Sequence, residues 1–190
     1  MGVKLKKKEL QIINASLKLF SEKGFHGTST AEIAKSAGVA TGTLFHYFKS
    51  KESLINKVYL YSKECMFEEI SGHYDSKLSF KDNVKSLWMI LVDFGISKSE
   101  MFQFILSFHC SPYITSLTKK EIETKSEIIL EAYMVGLENK KIKNVSYELI
   151  MDFLWGSVVA TVNHLDSHPE KMGEETKEMA FELFWDGISQ

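Results

Sequence analysis

The sequence predicts an all-α protein, and three observations carry that prediction. The 190 residues include only two prolines and eleven glycines, too few for the frequent turns of an all-β chain. Long segments contain neither residue, so helices can run uninterrupted. Apolar side chains recur every three to four residues, the period of a helix that buries one face. About nine helices are expected, an N-terminal three-helix unit containing a helix-turn-helix followed by a larger C-terminal helical domain. The hydrophobic share of 44% suits a sizeable core.

Taken in order, Leu10, Ile13, Leu17 and Phe20 form one stripe of a first helix from Lys7 to Lys23, and Gly24 ends it. Gly27-Thr28-Ser29-Thr30 then offers hydroxyl N-caps for a short second helix. Glu32 stands in its first turn and Ile33, Ala34 and Ala37 form its apolar side. Gly38 permits the left-handed backbone of a sharp turn and Val39 plugs the corner. Thr41 is expected to cap a third helix over residues 41–48. Ser50 caps a fourth, with Leu54, Val58, Tyr61 and Cys65 at helical spacing and an end near residue 71. Further helices are expected over 80–96, 99–110, 117–139, 146–165 and 174–188, with Pro112 and Pro169 between them.

Charge divides the chain. Residues 1–57 hold ten Lys and four Glu, a net of +6, whereas the remainder carries −8. A basic end binds a polyanion by displacing counterions from its phosphates, and an acidic remainder is repelled by the same surface. Cys65 and Cys110 make neither a disulfide framework nor a CxxC metal spacing, which fits a reducing cytoplasm. The charged start (Lys4, Lys6, Lys7, Lys8, Glu9) lacks a following apolar run of the secretory kind. The longest uncharged stretch, residues 101–118, holds Gln103, His109 and Pro112 and makes a poor membrane span. A cytoplasmic protein with no membrane partner is expected.

Enzyme chemistry finds little support. His109 and Cys110 are adjacent on a helix, so their side chains point about 100° apart, and no orienting acid is evident. His164 and His168 flank Asp166 near Pro169 and read as surface residues, not metal ligands. No catalytic residue, metal site or cofactor is expected.

The informative segment is Thr30-Ala31-Glu32-Ile33-Ala34-Lys35-Ser36-Ala37-Gly38-Val39-Ala40-Thr41-Gly42-Thr43-Leu44-Phe45-His46-Tyr47-Phe48, continuing through Lys51 to Leu54. It places two short helices about a tight turn. Ile33, Ala34, Val39, Leu44 and Phe48 form an apolar underside for Leu17 and Phe20. Thr41, Gly42 and Thr43, small or hydroxylated, stand at the N-terminal end of the third helix, where the backbone can approach base edges in a major groove.

This segment resembles the helix-turn-helix of the tetracycline-repressor (TetR/AcrR) family. The resemblance runs back through Ala15, Leu19, Phe20, Gly24 and Thr28 and covers about residues 6–60, with the motif at about 29–48. It implies a DNA-binding domain over 6–66 and a ligand-binding and dimerisation domain over 67–190. It further implies that Thr30, Thr43, Tyr47 and Lys51 grip the DNA backbone while Ala31, Lys35, Thr41, Gly42 and His46 lie near base edges. Phe45 stands where the family usually has a tyrosine whose hydroxyl reaches a phosphate, so one backbone contact is lost. The chain has no arginine. Lys35 is therefore the main reader of guanine, thymine methyls against Thr41 or Thr43 gain weight, and an A/T-rich operator is expected.

Beyond residue 67 no motif matches, and the resemblance is architectural. Met179, Ala180, Leu183, Phe184, Gly187 and Ile188 make an apolar stripe, with small Gly156, Ser157, Ala160 and Thr161 on the preceding helix; a homodimer interface is expected there. A dimer would read a palindrome with half-sites roughly 34 to 36 Å apart. Trp88, Met101, Phe102, Phe108, Tyr133 and Trp155 are expected to line a pocket for a small apolar or aromatic effector. The resulting expectation is a dimeric repressor released by that effector. The alternatives are a DNA-binding regulator without a small-molecule effector, or a helical scaffold that has lost DNA binding.

Overall fold

The computed structural model describes residues 5–190 apart from 74, 110, 126 and 172; of residues 117, 121, 123–125, 127, 128 and 171 it describes the backbone only. Lys4 and Cys110 lie outside the described residues. Ten α-helices follow in order among the described residues: α1 (Lys7–Lys23), α2 (Thr30–Ser36), α3 (Thr41–Tyr47), α4 (Lys51–Ile70), α5 (Phe80–Ser97), α6 (Ser99–Phe108), α7 (Ser116–Lys125), α8 (Glu127–Glu138), α9 (Tyr147–Ser167) and α10 (Glu174–Ile188). The helix expected over 117–139 corresponds to α7 and α8, which lie on either side of residue 126. The all-α prediction holds, and the described residues form no strand, only an isolated bridge between Ile142 and Ser189.

The chain condenses into two compact units, Met1–Glu68 with Lys98–Glu123, and Glu69–Ser97 with Thr124–Gln190. In the first, α1 is the central helix. Ile12, Ile13, Leu17 and Phe20 are buried on it, and it packs against α2, α3 and α6. The aromatic content of α6 explains its place here. Phe20 meets Phe104 and Phe108 at 6.2 and 6.3 Å between ring centres, and those two rings stack on each other at 4.5 Å. The compact body that carries the helix-turn-helix is thus larger than residues 6–66, because α6 supplies part of its core.

In the second unit, α5, α9 and α10 pack together around Trp88 and Phe181, both fully buried. The Trp88 indole N–H is satisfied by Ser157 Oγ at 2.8 Å. The expected apolar stripe of α10 divides in two. Phe184 and Ile188 turn into the unit's own core, whereas Met179 is 56% and Leu183 77% exposed. Successive helical residues differ by about 100°, so Leu183 and Phe184 cannot share a face. On α9 Leu149 and Phe153 are exposed, as are the small Gly156 and Ala160. Ser157 and Thr161 are committed to hydrogen bonds within the unit, Thr161 Oγ1 donating to Ser157 O at 2.8 Å.

Candidate nucleic-acid interface

Local chemistry sets the geometry of the motif. Thr28, 1% exposed, donates its hydroxyl to the carbonyls of Leu19 and Gly24, satisfying the end of α1. Gly24 stands at φ +70°, where a side chain would be strained. Ser29 caps α2 by accepting the N–H of Glu32 at 3.1 Å. The Glu32 carboxylate also pairs with Lys23, which ties α2 to the end of α1. That hydrogen bond holds the Glu32 carboxyl below its ordinary range and raises Lys23 above its own. Both groups are solvent-exposed, so the pair adds little to stability.

The turn between α2 and α3 follows the expectation, with Gly38 at φ +66° and the Val39 N–H returning to Ala34 O at 3.0 Å. One expectation needs correction. Thr41 does not cap α3: Ala40 holds the extended cap conformation, no side chain caps it, and Thr41 is the first helical residue. Thr41 is exposed at the helix start. At α4, Ser50 and Ser53 exchange backbone N–H bonds to each other's hydroxyls at 3.0 and 3.1 Å.

The two faces of the motif separate by polarity. Ile33 and Leu44 are fully buried, Ala34 and Phe48 nearly so, and they close on the side of α1 that carries Leu17 and Phe20. Ala31, Lys35, Thr41, Gly42 and His46 are exposed; Thr30, Thr43, Tyr47 and Lys51 are half-buried. The rings of His46 and Tyr47 meet edge to face at 5.3 Å. All nine lie on α2, α3 or the first residue of α4, and a Cβ built on Gly42 meets nothing within 4 Å. This is a row of hydroxyls, two lysines and a histidine on two short helices and the start of α4, seated on a sealed apolar underside. Such a surface can enter a groove without exposing the core.

Residues 12–58 match the model of the bacterial regulatory proteins of the tetR family. Over 168 residues the chain is 26% identical to the fatty acid metabolism regulator protein of Bacillus subtilis (strain 168), spanning 82% of this chain and 81% of that one. Over 54 residues it is 46% identical to the HTH-type transcriptional regulator UidR of Escherichia coli (strain K12), spanning 28% of each. A crystal structure from Shewanella sp. PV-4, assigned to the tetR family, superposes with a TM-score of 0.89 at 29% identity, covering 97% of this chain and all of that one. Residues 12–58 are thus a tetR-type DNA-binding segment, and the chain resembles TetR-family transcription regulators over nearly its whole length.

As in that fold, the helix-turn-helix of this regulator precedes a helical remainder. These relatives are transcription regulators, not enzymes. No helix among the described residues is long and apolar enough to cross a membrane. His164 and His168 stack on each other, and His168 Nδ1 is hydrogen-bonded to the His164 carbonyl, so the pair is occupied locally.

The six residues expected to line an effector pocket divide between the two units. Phe102 and Phe108 are core residues of the first unit, to which Met101 also belongs; Trp88 is sealed in the second and Trp155 is half-buried on α9. Tyr133 lines an apolar cavity of the second unit. The second unit holds two adjoining apolar cavities of about 70 and 50 Å³, both walled by Phe80, Val84, Leu87, Ile129 and Ala132. One extends to Ile70, His73 and Asn83, the other to Tyr133, Ile150, Met151 and Leu154. These residues carried no distinguishing sequence signal, because each reads as ordinary helical core. Asn56 was also passed over, although an asparagine among Leu54, Ile55 and Val58 is itself unusual.

Proposed function

We propose that this regulator is a homodimeric repressor that binds a palindromic operator and leaves it when a small apolar effector occupies the cavities between α5, α8 and α9. The observation that carries the DNA-binding part is the polar row from Thr30 to Lys51 over the buried Ile33, Ala34, Leu44 and Phe48. Residues 6–66 contribute the reading surface and the later helices the effector site and dimer contacts. Thr30, Thr43, Tyr47 and Lys51 take phosphates; Ala31, Lys35, Thr41, Gly42 and His46 face base edges. The bare Leu149, Phe153, Met179 and Leu183 of α9 and α10 support a self-association surface, since such residues cluster where a partner covers them.

The effector is elongated and apolar. The two cavities share one wall and so suit a ligand that spans both, with Tyr133, whose hydroxyl donates to Val145 O at 2.6 Å, already satisfied. Similarity to a fatty acid metabolism regulator points the same way. Binding acts by population shift: the ligand favours a conformer whose recognition helices no longer match the half-site spacing, which requires only differential affinity.

Selection of genomic fragments with the purified protein, at about 0.1 M salt because affinity is salt-dependent, tests the proposal. The expected result is a short palindrome rich in A·T, bound by a dimer and released by long-chain apolar compounds. Binding that is wholly sequence-independent overturns the repressor reading, and a G·C-dominated consensus overturns the part assigned to the missing arginines.

A further inference from the structure

Lys51 opens α4, and its ammonium is not left to solvent. It donates to the carbonyl of Phe25 and lies 4.1 Å above the centre of the same ring. The Phe25 ring stacks in turn on Tyr113, at 3.8 Å between centres and 20° between planes. The Tyr113 hydroxyl is hydrogen-bonded to Nε2 of His26, whose ring meets Phe25 edge-on at 5.5 Å. Tyr113 comes from the loop between α6 and α7, far along the chain from the helix-turn-helix, yet all of these groups belong to the first compact unit.

That loop is fastened to α4 by one side chain. Asn56 is buried, and its amide nitrogen donates to Tyr113 O and Glu52 O, each at 2.8 Å. Its amide oxygen accepts from Thr115 N at 2.9 Å and from Thr118 Oγ1 at 2.8 Å. Every hydrogen-bonding position of the amide nitrogen and oxygen is thereby used. A buried, fully satisfied amide of this kind fixes one register of loop against helix.

We propose that Tyr113 is a positioning residue for DNA binding: by bracing Phe25 it fixes the Lys51 ammonium where a backbone phosphate meets it. The proposal rests on the reading of Lys51 as a phosphate contact. Lysine is a compact charge on a flexible four-carbon stem, and immobilising it on a phosphate removes rotamer freedom. Here the carbonyl and the ring have restricted that freedom before DNA arrives. One of the three ammonium donors is spent on Phe25 O, which leaves two for a phosphate. Without the Tyr113 ring beneath it, Phe25 can turn away and take the anchor with it.

The test titrates the operator recovered by genomic selection, over a series of salt concentrations, with the full-length protein and its variants. Lys51→Ala should lower affinity about tenfold and reduce the slope of log affinity against log salt by about 1 per protomer. Tyr113→Ala should lower affinity about fivefold and reduce the slope by roughly half as much, while Tyr113→Phe, which keeps the stacked ring, stays within about twofold of the parent. Adding Tyr113→Ala to Lys51→Ala should cost less than about twofold more, because both remove one contact. If Tyr113→Ala fails to fold, Phe25→Leu, which keeps apolar bulk but not the ring face, should show the same reduced slope.

An unchanged slope in Tyr113→Ala and Phe25→Leu, or fully additive losses in the double variant, overturns the proposal and returns Tyr113 to an ordinary packing role. If the parent binds its operator but Lys51→Ala alters neither affinity nor slope, the proposal fails while the DNA-binding reading stands. If the parent selects no sequence, both fail.

Discussion

The two compact units present opposite kinds of surface. Around α2 and α3 the first unit shows solvent threonines, a lysine and a histidine and keeps Ile33 and Leu44 fully buried. On α9 and α10 the second leaves Leu149, Phe153, Met179 and Leu183 bare. The first surface suits a partner that is charged and wet, such as a duplex, where polar contacts give register and sequence. The second suits a partner that removes apolar area from water, which a second copy of the same helices supplies. The proposed function therefore places recognition and self-association on separate bodies.

The sharpest way to break that contrast is to charge the bare face. Leu183 is 77% exposed, so Leu183→Glu removes no core packing and thermal stability per protomer should change little. A buried, unpaired carboxylate across a dimer seam is costly. Sedimentation should show a monomer, and operator affinity should fall by more than about 100-fold as one recognition helix is left to bind alone. A Leu183→Glu protein that stays dimeric with full affinity would locate the dimer contacts elsewhere.

The same contrast explains what was legible in the sequence. The helix-turn-helix could be read because its determinants are local: Ser29 and Ser50 as caps, Gly38 for the turn, and an apolar period that puts Ile33, Ala34 and Leu44 on one side. The Thr41 cap was misplaced by one residue because a hydroxyl marks a helix start without saying which residue keeps the extended backbone. The second unit was harder for a physical reason. Aromatic residues at helical spacing reveal that a face is apolar, not whether it meets a neighbour, a cavity or solvent. Trp88 proved to be core, Leu183 bare, and the cavity wall was formed by residues as plain as Val84 and Leu87. Those outcomes depend on which helices meet, and that information is spread over distant segments.

A middle-sized effect separates the cavity from the core around it. A Cβ on Gly136 of α8 would lie 2.5 Å from Phe80 Cζ and 3.1 Å from Ile142 Cδ1. The Phe80 ring tip can yield only by moving, and Phe80 walls both cavities. Gly136→Ala gains helix propensity of up to about 1 kcal/mol and pays an overpacking strain of about 1–3 kcal/mol, so unfolding should show a net loss of about 1 kcal/mol. Affinity for an apolar fluorescent probe should fall several-fold if the ring moves inward. Lost stability with unchanged probe binding would separate Phe80 from the effector site.

The smallest effect bears on the reading surface itself. Gly42 is the second residue of α3, is not in the left-handed region, and has open space where a Cβ would stand. Nothing in the free protein therefore requires glycine there. Gly42→Ala should leave stability unchanged or raise it by up to about 0.5 kcal/mol, since alanine is the better helix former and the first turn realises only part of that preference. A glycine kept where alanine would be more stable has its reason outside the folded chain. If that reason is close approach to a base edge, the added methyl should lower operator affinity roughly tenfold and alter the preferred base at one position in each half-site. Thermal unfolding and a repeated selection measure both sides: a stabilised variant with the parent's consensus and affinity would show that the groove does not come near Gly42, and the docking of α3 would have to turn toward Lys35 and His46.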